Sequence, residues 1–186
     1  MLETLSGLTA PDCPGPADLR TLLMKVDVTP ELLDATNAPL PHRPYGRKVL
    51  LNTAGLEGMI AQWNPGVPCA VHDHGRSVGA VRVLAGSGIH RQYHVKDGKL
   101  LLVAEDTIQA DDILQCGPTF VHAMESSRHE ALITLHLYGP SIPYMIVWDE
   151  PNNRTLKVDG SCGAWVPDPD ESEMVLEERP GLVPAW

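Results

Sequence analysis

From Arg47 onward apolar and polar positions alternate with a period of two. The alternation runs through Lys48–Asn52, Leu56–Trp63, Cys69–His74, Ser77–Leu84, Ile89–Val95, Lys99–Ala104, Asp112–Gln115, Thr119–Met124, Ala131–Leu137 and Tyr144–Trp148. A period of two is that of a half-buried strand, so about ten short strands are expected here. Turn signals divide them: Asn64-Pro65-Gly66, Gly86-Ser87-Gly88, Asp97-Gly98, Gly117-Pro118 and Gly139-Pro140. Ahead of the strands lie two short helical patterns, Ala17–Val26 and Thr29–Asp34, with Asp18 expected to cap the first and Thr29, followed by Pro30, the second. The proline-rich stretch 37–45 ends them.

No helix-length segment separates the strands, which excludes a parallel βαβ fold and predicts an all-β sandwich or barrel with short N-terminal helices. Residues 151–186 are rich in proline and acid, with weak periodicity only at Thr155–Val158 and Cys162–Trp165, and predict a peripheral cover with a loose tail. The expected division is a helical segment 1–44 packed on the barrel, a barrel 45–150 that carries the site, and an extension 151–186 over it.

Composition narrows the function. With 186 residues, 43% of them hydrophobic, the chain can bury one core. A formal net charge of −10, from 24 acidic and 14 basic residues, repels nucleic acid and anionic membrane and favours a small solute as partner. The expectation is a monomer. There is no bilayer-length apolar run, and Met1 to Ala10 lacks a secretory start, so a cytoplasmic location is expected. Cys13, Cys69, Cys116 and Cys162 form no CxxC pair and are expected to be free thiols.

His72 and His74 flank Asp73 in an expected strand, where alternation puts both imidazoles on one face about 7 Å apart at Cα, close enough to share a metal. On its own the pattern is weak evidence, because strand histidines also serve as ordinary hydrogen-bonded core or surface residues, so a third ligand is needed. His122, in the strand after Gly117-Pro118, is the best candidate. His90, His94 and His129 compete with it, but His90 and His94 sit beside Arg91, Gln92 and Lys96 in a segment expected to be solvated.

The stretch Gly66 to Gly86, with His72, His74 and Gly79 between, resembles the first cupin motif, except that Gly79 stands where that motif has its glutamate ligand. His122 lies where the second motif has its histidine. Loss of the glutamate with three histidines kept is the pattern of the cysteine dioxygenase family, and the similarity runs from about Tyr45 to Asp149. Tyr45-Gly46-Arg47 resembles that family's tyrosine and substrate-binding arginine, and Thr134-Leu135-His136-Leu137-Tyr138 its strand of hydroxyl residue, histidine and tyrosine. The resemblance implies a cupin, a jelly-roll-like β-barrel, with Fe(II) on His72, His74 and His122 and no organic cofactor. It implies oxidation of a small thiol, L-cysteine first, by O2 to the sulfinic acid. Three neutral imidazoles leave Fe(II) its full charge and open positions for thiolate, amine and dioxygen.

By position alone Arg47 is a surface arginine at a strand start; the resemblance makes it the fork that holds a substrate carboxylate, with Tyr45 beside it. Thr134, His136 and Tyr138 share one strand face and, if buried, must satisfy one another, which predicts a relay that aims the phenol at substrate or oxygen. Ile133, Leu135 and Leu137 fill the opposite face, and Trp63, Met59 and Met145 are expected in the core. In mammalian members of the family a cysteine matches Gly79 and is joined to the tyrosine matching Tyr138; glycine forbids that crosslink and resembles the bacterial branch. The nearest alternative is a dioxygenase for 3-mercaptopropionate or another thiol. Its relatives carry an arginine after the signature tyrosine, and Gly139 to Asp149 contains none. A metal-binding cupin without redox chemistry and a cupin isomerase are the remaining alternatives.

Overall fold

The computed structural model describes residues 14–53 and 55–184; Cys13 lies outside them. Helix α1 (Pro16–Met24) begins one turn earlier than Asp18 would set it. Pro16 is pre-set for the first helical position, so Gly15 becomes the cap and Asp18, three residues on, accepts from the Gly15 N–H at 2.9 Å. Helix α2 (Pro30–Leu33) is capped as expected, Thr29 Oγ1 accepting from Leu32 N–H at 3.3 Å.

Twelve strands follow among the described residues. Strands β1 (Tyr45–Asn52), β2 (Glu57–Trp63), β9 (Ile133–Gly139), β4 (Val78–Ala85) and β7 (Ile113–Cys116) form a five-stranded antiparallel sheet in the order β1-β2-β9-β4-β7. The second sheet has seven strands in the order β12-β11-β10-β3-β8-β5-β6. They are β3 (Val71–His72), β5 (Ser87–Lys96), β6 (Lys99–Gln109), β8 (Val121–Ser126), β10 (Tyr144–Asp149), β11 (Arg154–Asp159) and β12 (Val175–Pro180).

The five-stranded sheet is covered on both faces. On its outer face α1 places Leu19, Leu22 and Leu23, one helical stripe, against Ile60, Ala80, Leu84, Leu135 and Leu137. Each fully buried leucine contributes roughly 1.5–3 kcal/mol. Arg82 of β4 fastens the helix end by donating to the carbonyls of Leu23 and Val26. The inner face carries the alternate residues, so Thr134, His136 and Tyr138 point between the sheets, as the alternation along β9 predicts.

Two expectations for the chain path are corrected. The strand expected over Cys69–His74 is only Val71–His72. Gly75 takes a positive φ of 58° and Asp73 Oδ1 accepts from both Gly75 N–H and Ile146 N–H, which turns the chain immediately after His72. The segment 151–186 is also more than a loose cover: β11 pairs with β10 and β12 with β11. Cys162–Trp165 is not a strand, since Gly163 at φ 115° breaks extended pairing there, and a 3-10 turn at Pro169–Met174 precedes β12. Arg43, buried, pins this segment by pairing with Asp168 and Glu171 while its guanidinium lies 4.8 Å from the Trp165 ring centre. Among the described residues no helix is long and apolar enough to cross a membrane, and Cys69, Cys116 and Cys162 are unpaired.

Candidate metal centre

His72 in β3 pairs directly with His122 in β8, and His74 returns to the same place from the turn after β3. One ligand nitrogen from each of His72, His74 and His122 lies within 4.8 Å of the others, and all three side chains are buried. Other acidic, cysteine and histidine residues form no such group among the described residues. His74 Nε2 and His122 Nε2 stand 3.4 Å apart. With metal–nitrogen bonds of about 2.1 Å, two imidazoles on one ion stand roughly 3.0–3.4 Å apart, so this pair is already at metal-bound spacing.

The proton positions fit a cation. A carbonyl only accepts, so His72 must carry its proton on Nδ1 to bond Ala70 O at 2.9 Å, which leaves the Nε2 lone pair facing inward. Burial lowers the pKa of His72 to about 4 and holds those of His74 and His122 well below the ordinary imidazole value, with the neighbouring histidines adding to it. The cluster is therefore neutral near pH 7, with lone pairs converging on a space that a metal ion suits. Among the described residues no acidic side chain lines the cavity around it, so an ion there keeps its charge.

Across the cavity runs a second chain of contacts. Trp63 Nε1, which can only donate, bonds Thr134 Oγ1 at 2.8 Å. The buried Thr134 hydroxyl must in turn donate, and His136 Nε2 at 2.7 Å is the one partner left to it among the described residues. His136 then carries its proton on Nδ1 and donates to Tyr138 Oη at 3.0 Å. The Tyr138 O–H is left free to donate into the cavity, where His74 Nε2 lies 3.4 Å away. Burial lowers His136 to about 3, followed by the effects of His72 and Arg47, and raises Tyr138 well above the ordinary phenol value. The phenol stays protonated and the imidazole neutral.

Arg47 and Tyr45 project from β1 to the rim of the same cavity. Both guanidinium NH groups of Arg47 bond Gly160 O at 3.1 Å, and one also bonds Ser161 O. These partners carry no charge, and the nearby Asp159, whose pKa Arg47 helps to lower after the hydrogen bonds from Ser161, is not in a salt bridge with it. Tyr45 Oη accepts from Ala164 N–H at 2.7 Å, its ring packs on Trp63 and Trp165, and burial pushes its pKa up to about 12. The space enclosed is narrow, about 20 Å³.

The family model for cysteine dioxygenase type I matches residues 34–151. The chain belongs to the cysteine dioxygenase type I family. Membership implies thiol dioxygenase chemistry, with a small thiol and O2 as substrates, at a metal held by the three histidines. Solved structures agree on the fold. A double-stranded β-helix protein from Klebsiella pneumoniae subsp. pneumoniae is 22% identical with a TM-score of 0.51, over 62% of this chain and 87% of that one. Peruvianin-I, a cysteine peptidase from Thevetia peruviana latex, is 14% identical with a TM-score of 0.51, over 62% and 73%. At such identities the likeness concerns the cupin architecture alone.

For a member of the cysteine dioxygenase family the position of Gly79 matters. A Cβ there would lie 2.7 Å from Cδ1 and Cε1 of Tyr138, so the phenol ring occupies the space a side chain would need. Three features escaped the sequence reading. Trp63, expected only as core, begins the relay, and Met59 and Met145 line the cavity as well as filling the core. His90, expected in a solvated segment, is 2% exposed and lies 3.0 Å from His122 Nδ1. Arg91 and the lysine beyond it had suggested solvent, but alternation sends Arg91 to the opposite face, where it meets Glu105 and Glu125. Finally, Gly160, Ser161 and Ala164 contact Arg47 and Tyr45 through backbone atoms, which no side-chain motif announces. They lie beyond the part of the chain that the family model matches.

Proposed function

We propose that this protein is an iron-dependent dioxygenase that converts L-cysteine to L-cysteine sulfinic acid. The observation that carries the proposal is the meeting, in one narrow cavity, of three buried neutral histidines with no carboxylate among the described lining residues, an arginine bonded to backbone carbonyls and a phenol held as a donor. His72, His74 and His122 would hold Fe(II), which supplies a charge that gathers thiolate and O2 and the electrons O2 chemistry requires. Arg47 would take the substrate carboxylate with its guanidinium N–H groups, a forked pair requiring it to release a contact it now makes with Gly160 O or Ser161 O. Tyr45 shapes the wall beside it. Tyr138, oriented through His136, Thr134 and Trp63, would donate its hydroxyl proton toward the reacting atoms without itself ionising. Burial of the whole cluster excludes bulk water, which strengthens each of these contacts.

Metal exchange tests the reading. Apo-protein reloaded with Fe(II) is expected to consume O2 with L-cysteine and yield sulfinate, whereas the same protein loaded with Zn(II), which fits histidine ligands but has no redox chemistry, is expected to consume none. Oxygen uptake recorded with an electrode distinguishes the two. Metal-loaded protein that consumes no O2 with L-cysteine, cysteamine, homocysteine or 3-mercaptopropionate would instead be a binding cupin.

A further inference from the structure

We infer that His90 is a positioning residue of the metal centre, fixing the orientation and donor strength of His122 by accepting its Nδ1 proton. The inference rests on the three-histidine group being a metal site and goes beyond the assignment of its ligands. His122 Nε2 faces His74 Nε2, so Nε2 is the nitrogen offered to a metal. As a neutral ligand His122 then carries its proton on Nδ1, and His90 Nε2 lies 3.0 Å away. His90 must present a lone pair there, which makes it the Nδ1-protonated form.

The arrangement is built and not incidental. His90 is 2% exposed. Its ring stacks on Phe120 at 5.8 Å and 20°. Its backbone is paired on both sides, with Asp106 in β6 and Met124 in β8. The same Phe120 ring also lies 5.2 Å from His122, so one aromatic side chain braces both imidazoles. The three ligands are also unequal. His72 donates to a carbonyl, His122 to a neutral imidazole, and His74 Nδ1 has no partner among the described residues. Of these acceptors the imidazole is the most basic, so His122 is the ligand whose electron donation the protein tunes most strongly.

The test loads apo-protein with Co(II), whose ligand-field spectrum reports the strength and geometry of its donors, in wild type and in His90→Phe, His90→Gln and His90→Glu. Affinity is measured by chelator competition. The Phe variant, which fills the volume without accepting a proton, is expected to bind Co(II) about 10–100-fold more weakly and with shifted bands. The Gln variant should recover part of the loss through its amide oxygen, and the Glu variant should bind more tightly than Gln. Phe and wild type alike in affinity and spectrum would overturn the inference, as would Phe and Gln weakened equally, since packing alone would then account for the effect. If the Phe variant does not fold, Gln against Glu decides, and identical spectra and affinities there overturn it. No thiol or O2 enters the measurement, so it stands or falls separately from the proposed activity.

Discussion

His122→Ala is expected to empty the metal site and abolish turnover. The lost ligand is one of three, and no other described side chain is placed to replace it. His90 is too far back, since its Nε2 points at His122 Nδ1 and not at the metal position. A protein metal site gains on the order of 3–4 kcal/mol per ligand, so affinity should fall by about 10²–10³-fold. His94→Ala is the control: His94 is exposed and its loss should change neither metal content nor rate. Metal analysis of both variants after identical Fe(II) loading and desalting checks the expectation. Full occupancy and unchanged turnover in His122→Ala would remove His122 from the site.

Arg47→Ala is expected to lower kcat/KM for L-cysteine by about 2–4 kcal/mol, roughly 30- to 10³-fold, because a partly desolvated carboxylate loses its charged partner. The structure adds a complication that the experiment must separate. Arg47 also satisfies the carbonyls of Gly160 and Ser161, so its removal orphans them and loosens the segment that holds Tyr45. That damage affects every substrate alike. Cysteamine, which lacks the carboxylate, reports it alone, and the ratio of L-cysteine to cysteamine turnover isolates the carboxylate contact. Arg47→Lys keeps charge but loses the fork, and should restore only part of the ratio. A ratio unchanged in Arg47→Ala would mean that the carboxylate sits elsewhere. A native preference for 3-mercaptopropionate would retain the chemistry and overturn the cysteine assignment.

The sheet and the histidine cluster were legible because both are written in local periodicity. Thr134, His136 and Tyr138 alternate with Ile133, Leu135 and Leu137, and β9 indeed sends the two sets to opposite faces. His72 and His74 converge even though their strand is two residues long, because the Gly75 turn returns His74 toward His122. What escaped is what depends on tertiary contacts. The role of Trp63 arises from a hydrogen bond across 71 positions of sequence. His90 was hidden by Arg91, which belongs to the other face of β5. The part played by 160–164 is a matter of backbone carbonyls and one N–H, invisible to residue type. Asp18 was misplaced by one turn because Pro16 claims the first helical position before it.

Both atoms of O2 are expected to reach the substrate sulfur. The direct measurement is turnover of L-cysteine by Fe(II)-loaded protein under ¹⁸O₂, with the product examined by mass spectrometry. A dioxygenase puts two labelled oxygens into each sulfinate, with one O2 consumed per cysteine. Cystine as the product, or sulfinate carrying unlabelled oxygen from water, would contradict the account.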